Sequence, residues 1–212
     1  MKTEDLIRVL AADAKSSGPA AGLAVGLAAA CGLTVSAAGF ALFVGLRPDL
    51  ATALTSPVFM LKPIEMLLLV AAAAAIVLRL AQPGLSPRHA LMIAALAPAI
   101  MISALAVELM LAPRSDWLAR LAGAHWYICV VNMVMLALPM LAAILFGLRY
   151  GAPTRPASAG AGAGLLAGAL SATLYVSHCP DDSPLFVAAW FTLAIAIVTG
   201  LGATVGSRIL RW

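Results

Sequence analysis

Ser177-His178-Cys179-Pro180-Asp181-Asp182-Ser183-Pro184 brings a thiol, an imidazole and two carboxylates into one short loop fixed by two prolines. Upstream, His125 and Cys129 stand four residues apart, which places both on one face if that stretch is helical. Three readings of the two thiols stand side by side. Cys129 and Cys179 form a disulfide, which an oxidising compartment permits. Alternatively, the reduced thiols with His125, His178 or both bind a soft or borderline metal ion, although adjacent His178 and Cys179 would be awkward joint ligands. In the third reading the thiols are unpaired and buried. The remaining thiol, Cys31, lies amid an apolar run and reads as a small apolar filler. No C-x-x-C is present, so zinc-ribbon and thioredoxin chemistry is excluded. Nucleotide-binding loops, nucleophile elbows and HExxH helices are also missing, so no enzyme is expected. No cofactor is required beyond a metal ion acting as a signal.

The elements that must position these groups are set by composition. The chain has 212 residues, 63% hydrophobic and only 10% charged, with a mean hydropathy of +1.04. That is the profile of a multi-span membrane protein, since a helix crosses a ~30 Å hydrocarbon layer with roughly 20 apolar residues. The expected fold is an all-α bundle of six transmembrane helices, at about Ala20 to Leu46, Ile64 to Leu80, His89 to Leu111, His125 to Leu148, Ala159 to Val176 and Leu185 to Ser207. Helix-breaking chemistry punctuates each connection: Arg47-Pro48-Asp49, Gln82-Pro83-Gly84, Ala112-Pro113-Arg114, Ala152-Pro153 with Arg155-Pro156, and Cys179-Pro180. Gly160, Gly164 and Gly168, like Gly202 and Gly206, recur at the four-residue spacing that allows close backbone approach. Pro98 and Pro139 are expected to bend the third and fourth helices.

Residues 1–19 form a separate polar segment, distinct from the transmembrane part at 20–212. Thr3, Glu4 and Asp5 make a helix start, and Leu6, Ile7, Leu10 and Ala14 mark one face. About a dozen residues are too few for a stable isolated helix, so this one needs a surface, either a partner protein or the bilayer interface. No cleavage pattern follows Met1, so the first apolar run is expected to remain as an anchor.

Orientation follows from the basic residues. Lys2, Arg8, Lys15, Arg79, Arg88, Arg149, Arg155, Arg208 and Arg211 share the side of the N-terminus, against Arg47, Lys62, Arg114 and Arg120 opposite. Both termini are therefore expected to be cytoplasmic and the His178-Cys179 loop to lie outside. The formal charge of +4 is scattered along the connections and makes no nucleic-acid patch. Glu65 and Glu108, near the outer ends of two spans, must face the bundle or water; a cation path, snorkelling, or pairing with Lys62 or Arg114 would each satisfy them. Trp117, Trp126, Tyr127, Tyr150, Tyr175 and Trp212 fall where interfacial aromatic belts lie.

Taken in order, these features resemble the NrsF-like transmembrane anti-sigma factors. The resemblance rests on Thr3-Glu4-Asp5-Leu6-Ile7 through Leu10, the Cys129 segment, Arg149 with Ala152-Pro153 and Pro156, and the Gly-rich fifth span. It continues through Tyr175 with His178-Cys179, Asp182-Ser183-Pro184 with Phe186 and Trp190, and Leu210-Arg211-Trp212. Where Trp190-Phe191 stands, the family usually has Tyr second.

The resemblance implies a bacterial inner-membrane protein whose N-terminal segment, through Glu4, Leu6, Ile7 and Leu10, holds an extracytoplasmic-function sigma factor. It also implies that Cys129 and Cys179, in the periplasm, sense heavy-metal or redox stress. His125 and His178 join them by position. Reaction at the thiols is expected to shift the fourth helix against the fifth and sixth. Membrane lipid is the other expected partner, with no direct nucleic-acid contact. A membrane thiol-disulfide oxidoreductase using the two cysteines and a small transporter using the two glutamates are the alternatives.

Overall fold

The computed structural model describes residues 3–5, 7–8, 21–82 and 85–211. Among them the fold is all-α, without a strand, and six segments are long and apolar enough to cross a membrane. They are α1 Ala21–Phe43, α2 Pro57–Leu80, α3 Arg88–Leu111, α4 Trp126–Leu148, α5 Pro156–Val176 and α6 Pro184–Ile209. Short helical turns, Leu50–Ala53 and Trp117–Ala122, lie in the connections. Apolar side chains left exposed, Leu42, Phe43, Met110 and Leu111 among them, suit a bilayer rather than water.

Three of the helices start on proline. Pro57, Pro156 and Pro184 each occupy the first turn, where a preset φ helps and no amide donor is missed. This corrects the expected second span: α2 begins seven residues before Ile64, so Lys62 as well as Glu65 lies inside it. α1 stops at Phe43 instead of Leu46. Gly45, at φ 75°, turns the chain there and donates its N–H to the Phe40 carbonyl at 2.8 Å. α3 is interrupted at Ala95, because Pro98 has no N–H to offer the carbonyl of Ala94.

α5 is the central helix, with α6, α2 and α4 around it, α1 laid on α4 and α3 at the edge. The glycines at four-residue spacing meet one another across α5 and α6. A Cβ added at Gly206 would fall 2.6 Å from the Gly160 Cα, and one at Gly164 would fall 2.7 Å from the Thr199 Cα. Only hydrogen fits there, so the contact is backbone against backbone. A second close crossing joins α1 to α4. A Cβ on Gly32 would come 2.7 Å from the Met140 Cα, and Ser36 Oγ donates to the Leu136 carbonyl at 2.7 Å.

α6 opens with a π turn over Val187–Phe191, which the sequence pattern did not indicate. It is framed by two fully buried rings, Phe186 and Phe191. At the N-terminus, Thr3–Asp5, Ile7 and Arg8 are helical and exposed. Leu6, Leu10, residues 11–20 and Trp212 lie outside the described residues, as do Pro83 and Gly84.

Candidate functional site

The α1–α2, α3–α4 and α5–α6 connections meet at one end of the bundle, and the cysteines lie among them. Cys129 sits one turn into α4 and Cys179 follows α5; both are buried, and their Sγ atoms are 3.8 Å apart. The local fold explains the placement of Cys179. After α5 ends, the N–H groups of His178 and Cys179 both donate to the Tyr175 carbonyl at 3.0 Å. This closes the last turn and keeps Cys179 against the helix end. Tyr175 is itself 2% exposed, so it belongs to the core beside the cysteines and not to the interfacial belt.

Acidic and basic side chains from the other connections hold the loop. Asp182 accepts from Arg47 at 3.1 Å and from Lys62 at 2.7 Å. The main chain is also gripped: Lys62 Nζ donates to the Asp181 carbonyl at 2.6 Å and Arg47 Nη1 to the Cys179 carbonyl at 3.1 Å. Asp49 takes the other edge of the guanidinium in a bidentate pair, Nε to Oδ1 at 2.8 Å and Nη2 to Oδ2 at 2.7 Å. This pair pushes the Arg47 pKa further above its already high value and holds the Asp49 carboxyl below the usual carboxylate range.

Glu108 supports the loop from α3. One carboxylate oxygen accepts from Arg120 at 3.1 Å and Ser183 Oγ at 2.7 Å, and the other from the Leu185 N–H at 2.8 Å. A negative charge at the start of α6 is favourably placed for the helix dipole. Thus Glu108 pairs with Arg120, not Arg114, and Lys62 pairs with Asp182, not Glu65. Glu65 is buried, and its Oε2 has no hydrogen-bond partner among the described residues. Gly123, at φ 56°, lets the α3–α4 connection pass under the Phe186 ring, where a Cβ could not fit. Beside it, Trp126 and Trp190 stack at 4.3 Å.

The two expected imidazoles are placed differently. His178 turns to the α1–α2 connection, donating from Nδ1 to the Gly45 carbonyl at 2.9 Å between Phe40 and Tyr175. His125 is the exposed residue just before α4, so it does not share a helical face with buried Cys129. Among the described residues, no three His, Cys, Asp or Glu side chains are arranged to hold one metal ion. The structure therefore brings together the two thiols but not the four-residue set. Cys31 faces outward from α1.

Chemically, the pair is two thiols in contact inside a buried, charge-clamped pocket. The Cys179 thiol is pushed above its ordinary range by its hydrogen bond to Cys129 and by burial, so it holds its proton at neutral pH. Sequence reasoning missed Arg47, Lys62 and Glu108 as the groups that seat the loop. The signal was present: charged residues inside or beside apolar runs need partners, and a loop with two acids and no Lys or Arg of its own needs cations from elsewhere.

Comparison with known proteins gives a consistent picture. A family model described as NrsF, negative regulator of sigma F, matches residues 10–212. The chain is 37% identical over 217 residues to the anti-sigma-F factor NrsF of Caulobacter vibrioides (strain NA1000 / CB15N), covering 100% of both chains. It is 35% identical over 213 residues to the probable anti-sigma-F factor NrsF of Azospira oryzae (strain ATCC BAA-33 / DSM 13638 / PS), again covering 100% of both. No solved structure matches the chain.

Proposed function

We infer the action of this protein from the premise that the chain belongs to the NrsF family, negative regulators of sigma F. It is an anti-sigma factor, and its partner is a sigma factor of the sigma F kind. In our reading that partner is an extracytoplasmic-function sigma factor, held at the inner face of the bacterial cytoplasmic membrane by residues 1–19. Glu4, Leu6, Ile7 and Leu10 supply the contact. The excess of Lys and Arg on the side of the termini supports a cytoplasmic N-terminus and C-terminus. The Cys129–Cys179 pair then lies in the periplasm and acts as the sensor.

The observation that carries this reading is the meeting of Cys129 and Cys179, from separate elements, at 3.8 Å. Two zinc–sulfur bonds of about 2.3 Å at a tetrahedral angle span about 3.8 Å, so the two sulfurs stand at the spacing of adjacent thiolates on a tetrahedral ion, whereas a mercuric ion, which takes two sulfurs in line, drives them further apart. Capture displaces two thiol protons and leaves two thiolates on the ion. An oxidant instead takes two electrons and two protons and leaves a disulfide of about 2.0 Å, drawing the two elements together. Either product biases the bundle between two packings, and the N-terminal segment releases its partner. A differential affinity of ~3 kcal/mol between states changes the bound fraction about a hundredfold.

The test uses membrane vesicles carrying the full chain with bound sigma factor, treated with mercuric ion or diamide and sedimented. Release from the parent protein, and none from Cys129→Ser with Cys179→Ser, is the expected result; an identical dose response in the two would remove the sensor role. Leu6→Glu with Leu10→Glu should abolish capture, and intact capture would remove the N-terminal assignment.

A further inference from the structure

We infer that Arg47 is the positioning residue that seats Cys179 and transmits its displacement to α1, so that α1 carries the signal across the membrane. The inference rests on the reading of Cys129 and Cys179 as the sensing pair. It departs from the expectation that α4 moves against α5 and α6.

Gly45–Asp49, immediately after α1, is fastened to the sensor loop by main chain as well as side chain. The Arg47 N–H donates to the Ser177 carbonyl at 3.0 Å. Its Nη1 donates to the Cys179 carbonyl and to Asp182 Oδ1, each at 3.1 Å. From the other direction, His178 Nδ1 donates to the Gly45 carbonyl at 2.9 Å. Asp49 fixes the opposite edge of the guanidinium, and Arg47 is 8% exposed, with the Phe59 ring 5.6 Å from its Cζ. A planar, permanently charged fork held on both edges has one orientation. It therefore moves with the Cys179 main chain.

The sequence supplies the other half of the argument. α1 begins at Ala21, so it is the span joined directly to residues 1–20. Lys62 also grips the loop, but it sits in α2, which leads to the α2–α3 connection and not to the N-terminal segment. α1 meets α4 closely, backbone against backbone at Gly32 and Gly147, with the buried Ser36–Leu136 hydrogen bond across the contact and the buried side chains of Val25 and Phe40 on the same helix. Gly147 lies so close that an added Cβ would fall 2.9 Å from the Ala28 Cβ and 3.1 Å from the Val25 Cα. A helix seated this way moves as one body against its neighbour, and a shift along α4 exchanges the Ser36–Leu136 bond for another seat. Pulling Cys179 toward Cys129 thus pulls the outer end of α1, and the inner end moves with it as a rigid helix.

The experiment compares the parent chain with Arg47→Lys, which keeps the charge but loses the two-edged fork, in vesicles with bound sigma factor. Diamide is added; it accepts the two electrons and two protons of the thiol pair and becomes the hydrazine. Two quantities are read on each sample: the fraction of Cys129–Cys179 disulfide by alkylation and mass spectrometry, and the sigma factor released. In the parent, disulfide formation should raise release by the factor usual for coupled sites, about 5–150-fold.

In Arg47→Lys the disulfide should still form, while the release factor falls toward one. Release per disulfide equal to the parent's would overturn the inference. A parent that forms the disulfide without releasing anything would instead refute the sensing reading, so the two failures are distinct. Should Arg47→Lys not bind sigma factor at all, Asp49→Asn, which frees only the outer edge of the fork, is read by the same ratio. An unchanged ratio there would count against the fork held on both edges as the coupling element.

Discussion

Replacing Asp182 by Asn tests whether charge, rather than chain geometry, holds the Cys179 loop. Asp182 is the shared acceptor of Arg47 at 3.1 Å and Lys62 at 2.7 Å, with side-chain exposures of 7% for the arginine, 4% for the lysine and 29% for the aspartate. Removing one partner of a buried ion pair costs about 3–5 kcal/mol, chiefly through the charge left behind. Two features reduce that figure. Arg47 keeps its bidentate pair with Asp49, and Lys62 keeps the Asp181 carbonyl and the Phe59 ring, 5.8 Å from Nζ.

The partial exposure of Asp182 reduces the cost further, so Asp182→Asn should cost about 2–3 kcal/mol. Lys62→Met, which removes a buried cation and leaves Asp182 with Arg47, should cost about 1–2 kcal/mol. Because the two side chains touch, the double variant should fall short of the sum by about 1–2 kcal/mol. Unfolding in mixed micelles on titration with denaturing detergent would measure this, with the stacked Trp126–Trp190 pair as a fluorescence reporter close to the loop. A loss below about 0.5 kcal/mol for Asp182→Asn, or strict additivity in the double variant, would refute the ionic clamp.

Further outcomes follow from the same geometry. Gly164→Ala should destabilise by about 1–3 kcal/mol, since its Cβ meets backbone of α6; Gly39→Ala, inside α1 with nothing within 4 Å, should instead stabilise by up to about 1 kcal/mol in the same unfolding titration. Because the folded value of the Cys179 thiol lies above the ordinary one near 9, its contribution to stability is complete below about pH 9 and is lost as the pH rises further. Maleimide labelling of Cys179 in the folded protein should accordingly remain slow at pH 9, whereas the unfolded chain labels readily; fast labelling of both would contradict the seated thiol. Finally, Leu118→Cys, at an exposed position in a chain whose other cysteines are serine, should react with a membrane-impermeant maleimide from the periplasmic side. Protection in intact spheroplasts together with labelling in inverted vesicles would reverse the orientation.

Much of the architecture is legible in the sequence because it follows from local chemistry. Six apolar runs between proline-bearing connections give six helices, since hydrocarbon leaves a spanning backbone no partner but itself. The glycine spacing indicated close helix contact because it depends on the missing Cβ alone. Helix starts were less legible. Lys62 reads as lying outside the apolar run, whereas Pro57 starts the helix ahead of it and the bundle supplies the partners it requires. The π turn at Val187–Phe191 has no sequence signature of its own.

The candidate site divides in the same way. Residue types alone singled out Cys129 and Cys179, and alternation of spans put them at one end of the bundle. Their separation of 3.8 Å, the turning of His178 toward Gly45 and the exposure of His125 came only from the fold. Each depends on residues distant along the chain: Gly123 yielding to Phe186, Glu108 holding the start of α6, and Arg47 reaching the Cys179 carbonyl. Sequence by itself thus determined which groups reach the site, because hydrophobicity and helix-breaking act over a few residues. Which of those groups touch was decided by tertiary packing, where directional hydrogen bonds and buried charges leave one arrangement satisfied.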